Sequence, residues 1–244
     1  MTLKRRLKAA ANRVLERCLH HRLEHVALMP TDPAPSLRRL AAKGFQPKQI
    51  ADVGAAVGEW TREVLPVFGS AAFWLAEPLA ENQGALTALA AQNPRVKVWM
   101  GAVGDRCGTL SLHVHGNQTS CFSSEWGGEE RNVPLATLDA LVAGGELAAP
   151  DLIKLDVQGA EMQVFEGAGQ ALARATVLLA EVSFRQVYKG APLAHEIVAA
   201  LGSRGFRIYD ICSVCKRLGD GDLLQADLLF ARPGPWFLPE SWNA

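Results

Sequence analysis

The sequence predicts an α/β domain in which a mostly parallel, seven-stranded sheet carries helices on both faces, and three observations predict it. From Ile50 onward, short apolar runs alternate with helical patterns, the signature of a parallel sheet wrapped by helices. The first of these runs opens through a glycine-bearing turn, Gly54 to Gly58, into a helical pattern. The last two runs, residues 207–211 and 227–231, are separated by Gly219, Asp220 and Gly221, which suits an antiparallel hairpin closing the sheet.

Element by element, strands are expected at 49–53, 72–76, 96–103, 152–157 and 177–182, with the terminal pair after them. Helices are expected at 59–68, 79–91, 135–143, 161–173 and 193–203. Residues 108–115 alternate apolar and polar side chains and read as an extra strand, whereas 116–132, rich in Gly, Ser, Asn and Glu, read as a loop. Ahead of the domain, residues 2–28 form an amphipathic basic helix, with Leu3, Leu7, Ala10 and Val14 on one side and Lys4, Arg5, Arg6 and Arg13 among the remainder. Three prolines in 29–36 end it. The expected organisation is a helical extension at 1–48, one domain at 49–232 and a tail at 233–244.

Composition excludes several classes. Lys plus Arg equals Asp plus Glu at 25 each, so no global field favours nucleic acid, and none is expected as a partner. Five unevenly spaced cysteines do not make a disulfide framework, and Cys212 and Cys215 lack the second pair a zinc site requires. No run approaches a membrane span and no secretory leader is visible, so a soluble cytoplasmic protein is expected. The basic N-terminal helix is a candidate for peripheral membrane or homodimer contact, though a helix capping its own domain explains it more simply.

Four segments carry chemistry. In D-V-G-A-A-V-G-E-W (52–60), glycines allow backbone to approach a ligand and the following helix offers free N–H groups, so Asp52, Gly54, Ala55, Gly58 and Trp60 are candidate cofactor contacts. The turn lacks the third glycine of a dinucleotide fingerprint and carries Asp52 ahead of it. A carboxylate there attracts the sulfonium and amino groups of S-adenosylmethionine (SAM) but repels a pyrophosphate, which favours SAM over a nicotinamide cofactor. Glu77-Pro78 ends the second strand, where an acid can accept both ribose hydroxyls. Val103 and Asp105 follow the third strand, at the expected adenine position. Asp156 ends the central strand beside the first, near the expected methyl group, and serves both as cofactor contact and as first choice for a reaction-centre carboxylate. Glu181, ending the fifth strand, and His113 and His115, alternating on the extra strand, are the other base candidates.

Taken together, D-V-G-A-x-x-G, E-P, V-P-L-A-T-L-D (133–139) and I-K-L-D-V-Q-G-A-E (153–161) resemble the FkbM family of methyltransferases, and the resemblance continues through Glu166-Gly167-Ala168 and Ala180-Glu181-Val182. It implies a class I methyltransferase (Rossmann-like) fold, SAM as methyl donor and a hydroxyl acceptor on a sugar, glycan or polyketide-type small molecule. Two departures stand out: Ala56 where the family often has asparagine, and Gln158 where many members carry glutamate. The second weakens any metal role for position 158, so no metal ligands are assigned, and a divalent ion stays an alternative to a protein base. The rival functions are a nicotinamide-dependent oxidoreductase and a non-catalytic partner protein that keeps the fold without the site.

Overall fold

A computed structural model of the chain describes residues 33–114, 119–122, 128–217 and 220–234. The basic helix expected at 2–28, His115 and most of the C-terminal tail lie outside the described residues. The first helix, α1 (Ala34–Ala42), falls within the segment assigned to the extension, yet Leu37 and Leu40 are fully buried against the sheet, so it packs as part of the domain.

The large sheet contains β1 (Gln49–Val53), β2 (Ala72–Glu77), β3 (Val96–Met100), β7 (Leu152–Leu155), β8 (Val177–Ser183), β9 (Arg207–Lys216) and β10 (Leu223–Ala231). Their order is β3-β2-β1-β7-β8-β10-β9, with parallel pairing up to β8 and antiparallel pairing at β10. Every residue of β1 and β7 is buried, because strands covered on both faces have no solvent side. Successive side chains enter opposite cores. Ala51, Val53, Ile153 and Leu155 join the core of α5 (Glu161–Glu166), α6 (Gly169–Arg174) and α7 (Ala194–Ser203). Ile50, Leu75 and Leu152 join the one formed with α1, α2 (Glu59–Val64) and α3 (Gln83–Gln92). Strand order reverses between β1 and β7, and the carboxyl ends of those two strands form the crevice where such sheets take ligands.

Several boundaries differ from the sequence expectation. The helix expected at 161–173 is two helices, α5 and α6, parted at Gly167 and Ala168, and the terminal strands extend to Arg207–Lys216 and Leu223–Ala231. Three further differences shape the crevice. The strand expected at 96–103 is broken at Gly101, whose N–H donates to the Glu77 carbonyl (3.0 Å). β2 ends there, so β4 (Ala102–Val103) leaves the large sheet and pairs with β6 (Glu129–Ala136) instead. β6 also takes the end of the expected loop and the start of the expected helix. Its partner is the predicted extra strand, β5 (Gly108–Val114), and the helix α4 (Leu138–Ala143) waits for Thr137, whose side chain accepts from Ala140 N (3.0 Å) as N-cap. The small β4-β6-β5 sheet has its own apolar cluster: Ala102, Leu112, Val133 and Leu135.

At the crevice the two loops touch. Asp156 N donates to Val53 O and Gly54 N to Ala76 O, both at 3.0 Å, which brings Gly54 against the β7 end. Gly54 has φ +79°, and a Cβ there would sit 1.9 Å from the Asp156 carbonyl oxygen. Gly54→Ala should therefore destabilise the protein by about 3 kcal/mol or more, combining left-handed strain with a backbone clash. Urea denaturation checks this; a midpoint within error of the parent would mean that the loops separate freely.

Candidate active site

The crevice opens into a cavity of about 490 Å³, within the roughly 300–1,000 Å³ of small-molecule sites. Each end is built by a different set of elements.

At one end stands Glu77, 4% exposed, at the end of β2. Its Oε2 accepts from Ala56 N (2.8 Å), while Oε1 accepts from Leu79 N (2.9 Å) and Asn82 Nδ2 (3.1 Å). A carboxylate offers about four acceptor positions, so one remains on Oε2 of this cavity-lining residue. A grip on both ribose hydroxyls, as the sequence suggests, requires the Asn82 amide to turn aside. Pro78 and Val103 line the cavity beside it, with Gly101, Ala102, Leu110 and Leu112. The turn that delivers Ala56 N holds Ala56 at φ +48°, an αL conformation that costs a non-glycine residue about 1 kcal/mol or more.

The other end holds two carboxylates. Asp156 and Glu181, from the ends of the adjacent strands β7 and β8, both line the cavity with Gln158. Gln158 Nε2 donates to Asp156 Oδ1 (2.7 Å) and to Glu181 Oε2 (3.0 Å), Tyr188 OH donates to Gln158 Oε1 (2.8 Å), and Gln225 Nε2 adds a bond to Glu181 Oε2 (2.8 Å). Burial first, then the charges of Asp156, Asp227 and Glu161, push the Glu181 carboxyl up to about 8. Glu161, at the start of α5, is pushed to about 7, mainly by burial, against bonds from backbone such as Gly159 N (3.3 Å). It props the turn and does not line the cavity.

Behind this floor sits Asp52, fully buried. Thr61 Oγ1 donates to its Oδ2 (2.6 Å), and Lys154 Nζ lies 3.1 Å from Oδ1. Lys154 also donates to Gly54 O (2.7 Å) and stands 3.6 Å from Asp156 Oδ2. Burial disfavours the ammonium, but Asp52 and Asp156 outweigh it and hold its proton above the ordinary lysine range.

The sequence-predicted residues thus divide. Gly54, Glu77, Pro78, Val103, Asp156 and Glu181 meet around the cavity. Asp52, Ala55, Gly58, Trp60 and Asp105 are not in its lining: Asp52 serves Lys154 and Thr61, Ala55 and Trp60 belong to the apolar core, Gly58 caps α2, and Asp105 pairs with Arg106 (2.9 Å). His113 faces away, because Leu110, Leu112 and Val114 of the same strand line the cavity and side chains alternate. Sequence reasoning missed Lys154, Tyr188, Gln225 and Ser120, whose Oγ donates to Gln158 O (2.6 Å). Only Lys154 carried a signal, as a charge within an otherwise apolar strand. Among the described residues no group of three or more His, Cys, Asp or Glu is arranged to hold a metal ion, and no helix is long and apolar enough to cross a membrane.

The sheet order, the antiparallel closing hairpin and a cavity at the β1/β7 switch point define a class I methyltransferase fold. The chain belongs to the FkbM family of SAM-dependent methyltransferases: the methyltransferase FkbM domain matches residues 52–208. Among solved structures, it is similar to methyltransferase FkbM from Methylobacillus flagellatus, at 18% identity and TM-score 0.47, covering 74% of this chain and 43% of that one. The chain thus spans less than half the length of that relative. Others are precorrin-6y C5,15-methyltransferase from Geobacter metallireducens (10% identity, TM-score 0.45, covering 80% and 85%) and SAM-bound magnesium protoporphyrin IX methyltransferase from Synechocystis (14%, 0.45, 82% and 78%). No curated protein matches the chain by sequence.

The buried lysine yields a prediction. Lys154→Met leaves Asp52 uncompensated inside the sheet and should cost about 3–5 kcal/mol, whereas Asp52→Leu combined with Lys154→Met should recover much of it. Chemical denaturation of the singles and the double checks this; a double variant as unstable as the sum of the singles would show that the two charges are not coupled.

Proposed function

We propose that the chain is a SAM-dependent O-methyltransferase whose acceptor is a hydroxyl of a sugar, glycan or polyketide-type small molecule, and not a nucleic acid. The observation that carries this reading is the pairing, in one cavity, of Glu77 at one end with the Asp156–Glu181 carboxylates at the other.

The residues present fit the cofactor. Glu77 Oε2 has an acceptor position open for a ribose hydroxyl, Val103, Leu110 and Leu112 offer an apolar wall for adenine, and the carboxylate end complements a sulfonium charge. Bound there, SAM supplies a methyl group as electrophile. The protein's part is orientation, exclusion of water and handling of the acceptor proton. Glu181 is the better-placed base: its Oε1 carries no hydrogen bond among the described residues, whereas both Asp156 oxygens face donors, Gln158 at 2.7 Å and Lys154 at 3.6 Å. Asp156 then orients the acceptor and complements positive charge. Family membership and the two-glycine turn speak against the nicotinamide reading, and SAM binding separates an enzyme from a partner protein that has lost its site.

Glu77→Ala should weaken SAM binding by about 1.5–3 kcal/mol, roughly 10-fold to 150-fold, the value of a hydrogen bond to a charged group. Calorimetric titration with SAM decides this, and a parent protein that binds no SAM would sink the whole reading.

The pH dependence follows from Glu181. Only its ionised form accepts a proton, and burial holds it protonated up to about 8, so single-turnover methyl transfer should rise with pH through that value and level off above it. Glu181→Gln should abolish the rise and slow transfer roughly 100-fold to 10,000-fold. The assay offers radiolabelled SAM with a panel of sugar and polyketide hydroxyl acceptors; an unchanged profile in Glu181→Gln would remove Glu181 as base.

A further inference from the structure

Gln158 has more tasks than a turn residue needs. Its backbone is held at φ +51°, the left-handed region that favours glycine, between Val157 and Gly159. Its four polar contacts each reach a different part of the fold. The amide nitrogen bonds Asp156 at the end of β7 (2.7 Å) and Glu181 on β8 (3.0 Å), the amide oxygen accepts from Tyr188 beyond β8 (2.8 Å), and the backbone carbonyl accepts from Ser120 beside the small sheet (2.6 Å). Ser120 is in turn fixed, its Oγ accepting from Phe122 N (3.1 Å).

The arrangement solves an electrostatic problem. Two carboxylates reach toward one point at the cavity floor, with Asp227 and Glu161 adding negative charge from β10 and α5 and Lys154 opposing it. Such a pair needs positive charge or donor hydrogens between its oxygens. The Gln158 amide has two hydrogens and gives one to each carboxylate. Its orientation is set from the far side, because Tyr188 donates to the amide oxygen and so keeps the nitrogen toward the acids.

From this geometry we infer that Gln158 is the positioning residue of the site: its amide stands between Asp156 and Glu181 in the place a divalent cation would need, and by holding Glu181 through Oε2 it leaves Oε1 for the acceptor. The inference rests on the methyl-transfer reading only in treating those carboxylates as the working groups. It explains why a strained non-glycine residue sits at this turn: glycine would relax the backbone but remove the amide. It also assigns position 158 the choice between a cation-free site and a cation-bridged one. A glutamate there removes both hydrogens and adds a third carboxylate, completing a hard, all-oxygen ligand set of the kind that Mg²⁺ and Mn²⁺ take.

Two variants of the full chain test this. Gln158→Gly keeps the turn, since glycine prefers its backbone conformation, and deletes only the amide. With the protein labelled at glutamate side-chain carboxyl carbons, and the Glu181 resonance assigned by Glu181→Gln, its titration midpoint should move up in Gln158→Gly, because a donor to the ionised form is gone. A purely structural turn residue would leave that midpoint unmoved, and an unchanged midpoint overturns the inference. Gln158→Glu is titrated with Mn²⁺ alone and followed by electron paramagnetic resonance. It should bind Mn²⁺ at least about tenfold tighter than the parent, one added charged ligand being the only difference. Equal affinity in parent and variant also overturns it. Neither readout uses SAM or an acceptor, so failure here is distinct from a parent protein that fails to bind SAM.

Discussion

The site depends on one ammonium group placed inside the sheet. Lys154 enters from β7, a strand with no exposed residue, and its Nζ reaches Asp52 Oδ1 (3.1 Å), Gly54 O (2.7 Å) and Asp156 Oδ2 (3.6 Å). Those partners belong to β1, the loop after β1 and the loop after β7. One charge therefore fixes the two strand ends whose separation creates the crevice. A buried ion pair adds little net stability compared with apolar packing, because desolvation consumes most of the Coulomb gain. What it supplies is direction: an unpaired charge at this depth is costly, so the loops have one arrangement that satisfies Lys154, Asp52 and Thr61 together.

With the loops fixed, the two ends of the cavity take opposite solutions to the same problem of burying acids. Glu77 is held by backbone N–H groups and an amide, donors that fix a carboxylate so that it can accept hydrogen bonds from hydroxyls. Glu181 is buried and lies near the charges of Asp156, Asp227 and Glu161, with amide donors on one oxygen only, and burial above all retains its proton to about 8. The first arrangement suits binding and the second suits proton transfer. Both depend on a non-glycine residue held at positive φ, Ala56 for Glu77 and Gln158 for Glu181, and strain of this kind collects at working sites because surrounding contacts over-determine it.

The small sheet gives the cavity its third wall. β5 turns Leu110, Leu112 and Val114 toward the cavity, and Arg131 of β6 reaches Glu81 (2.5 Å), in the turn just past Glu77. That guanidinium holds the Glu81 carboxyl below the usual range. The pair is exposed and adds little stability, but it joins the wall to the turn that carries Leu79 and Asn82, which hold Glu77.

What the sequence by itself determined is the local and the repetitive. Apolar runs that must bury both faces marked β1, β2, β7 and β8 to within a residue or two, and Gly219, Asp220 and Gly221 marked the closing hairpin. Glu77, Asp156 and Glu181 were legible because each follows such a run, and strand ends in this architecture converge on one edge. Only the tertiary structure decided how side chains are shared across elements. Asp52 reads as a ligand contact beside a glycine turn, but Lys154, 102 residues along the chain, takes its charge inward. Leu135 and Ala136 read as helix, but β4 pairs with them, and His113 faces away once its strand neighbours turn to the cavity. The physical reason is one of range: helical and strand periodicity are properties of neighbours, whereas the partner of a buried charge or an edge strand is set by whatever the folded chain brings within about 3 Å of it.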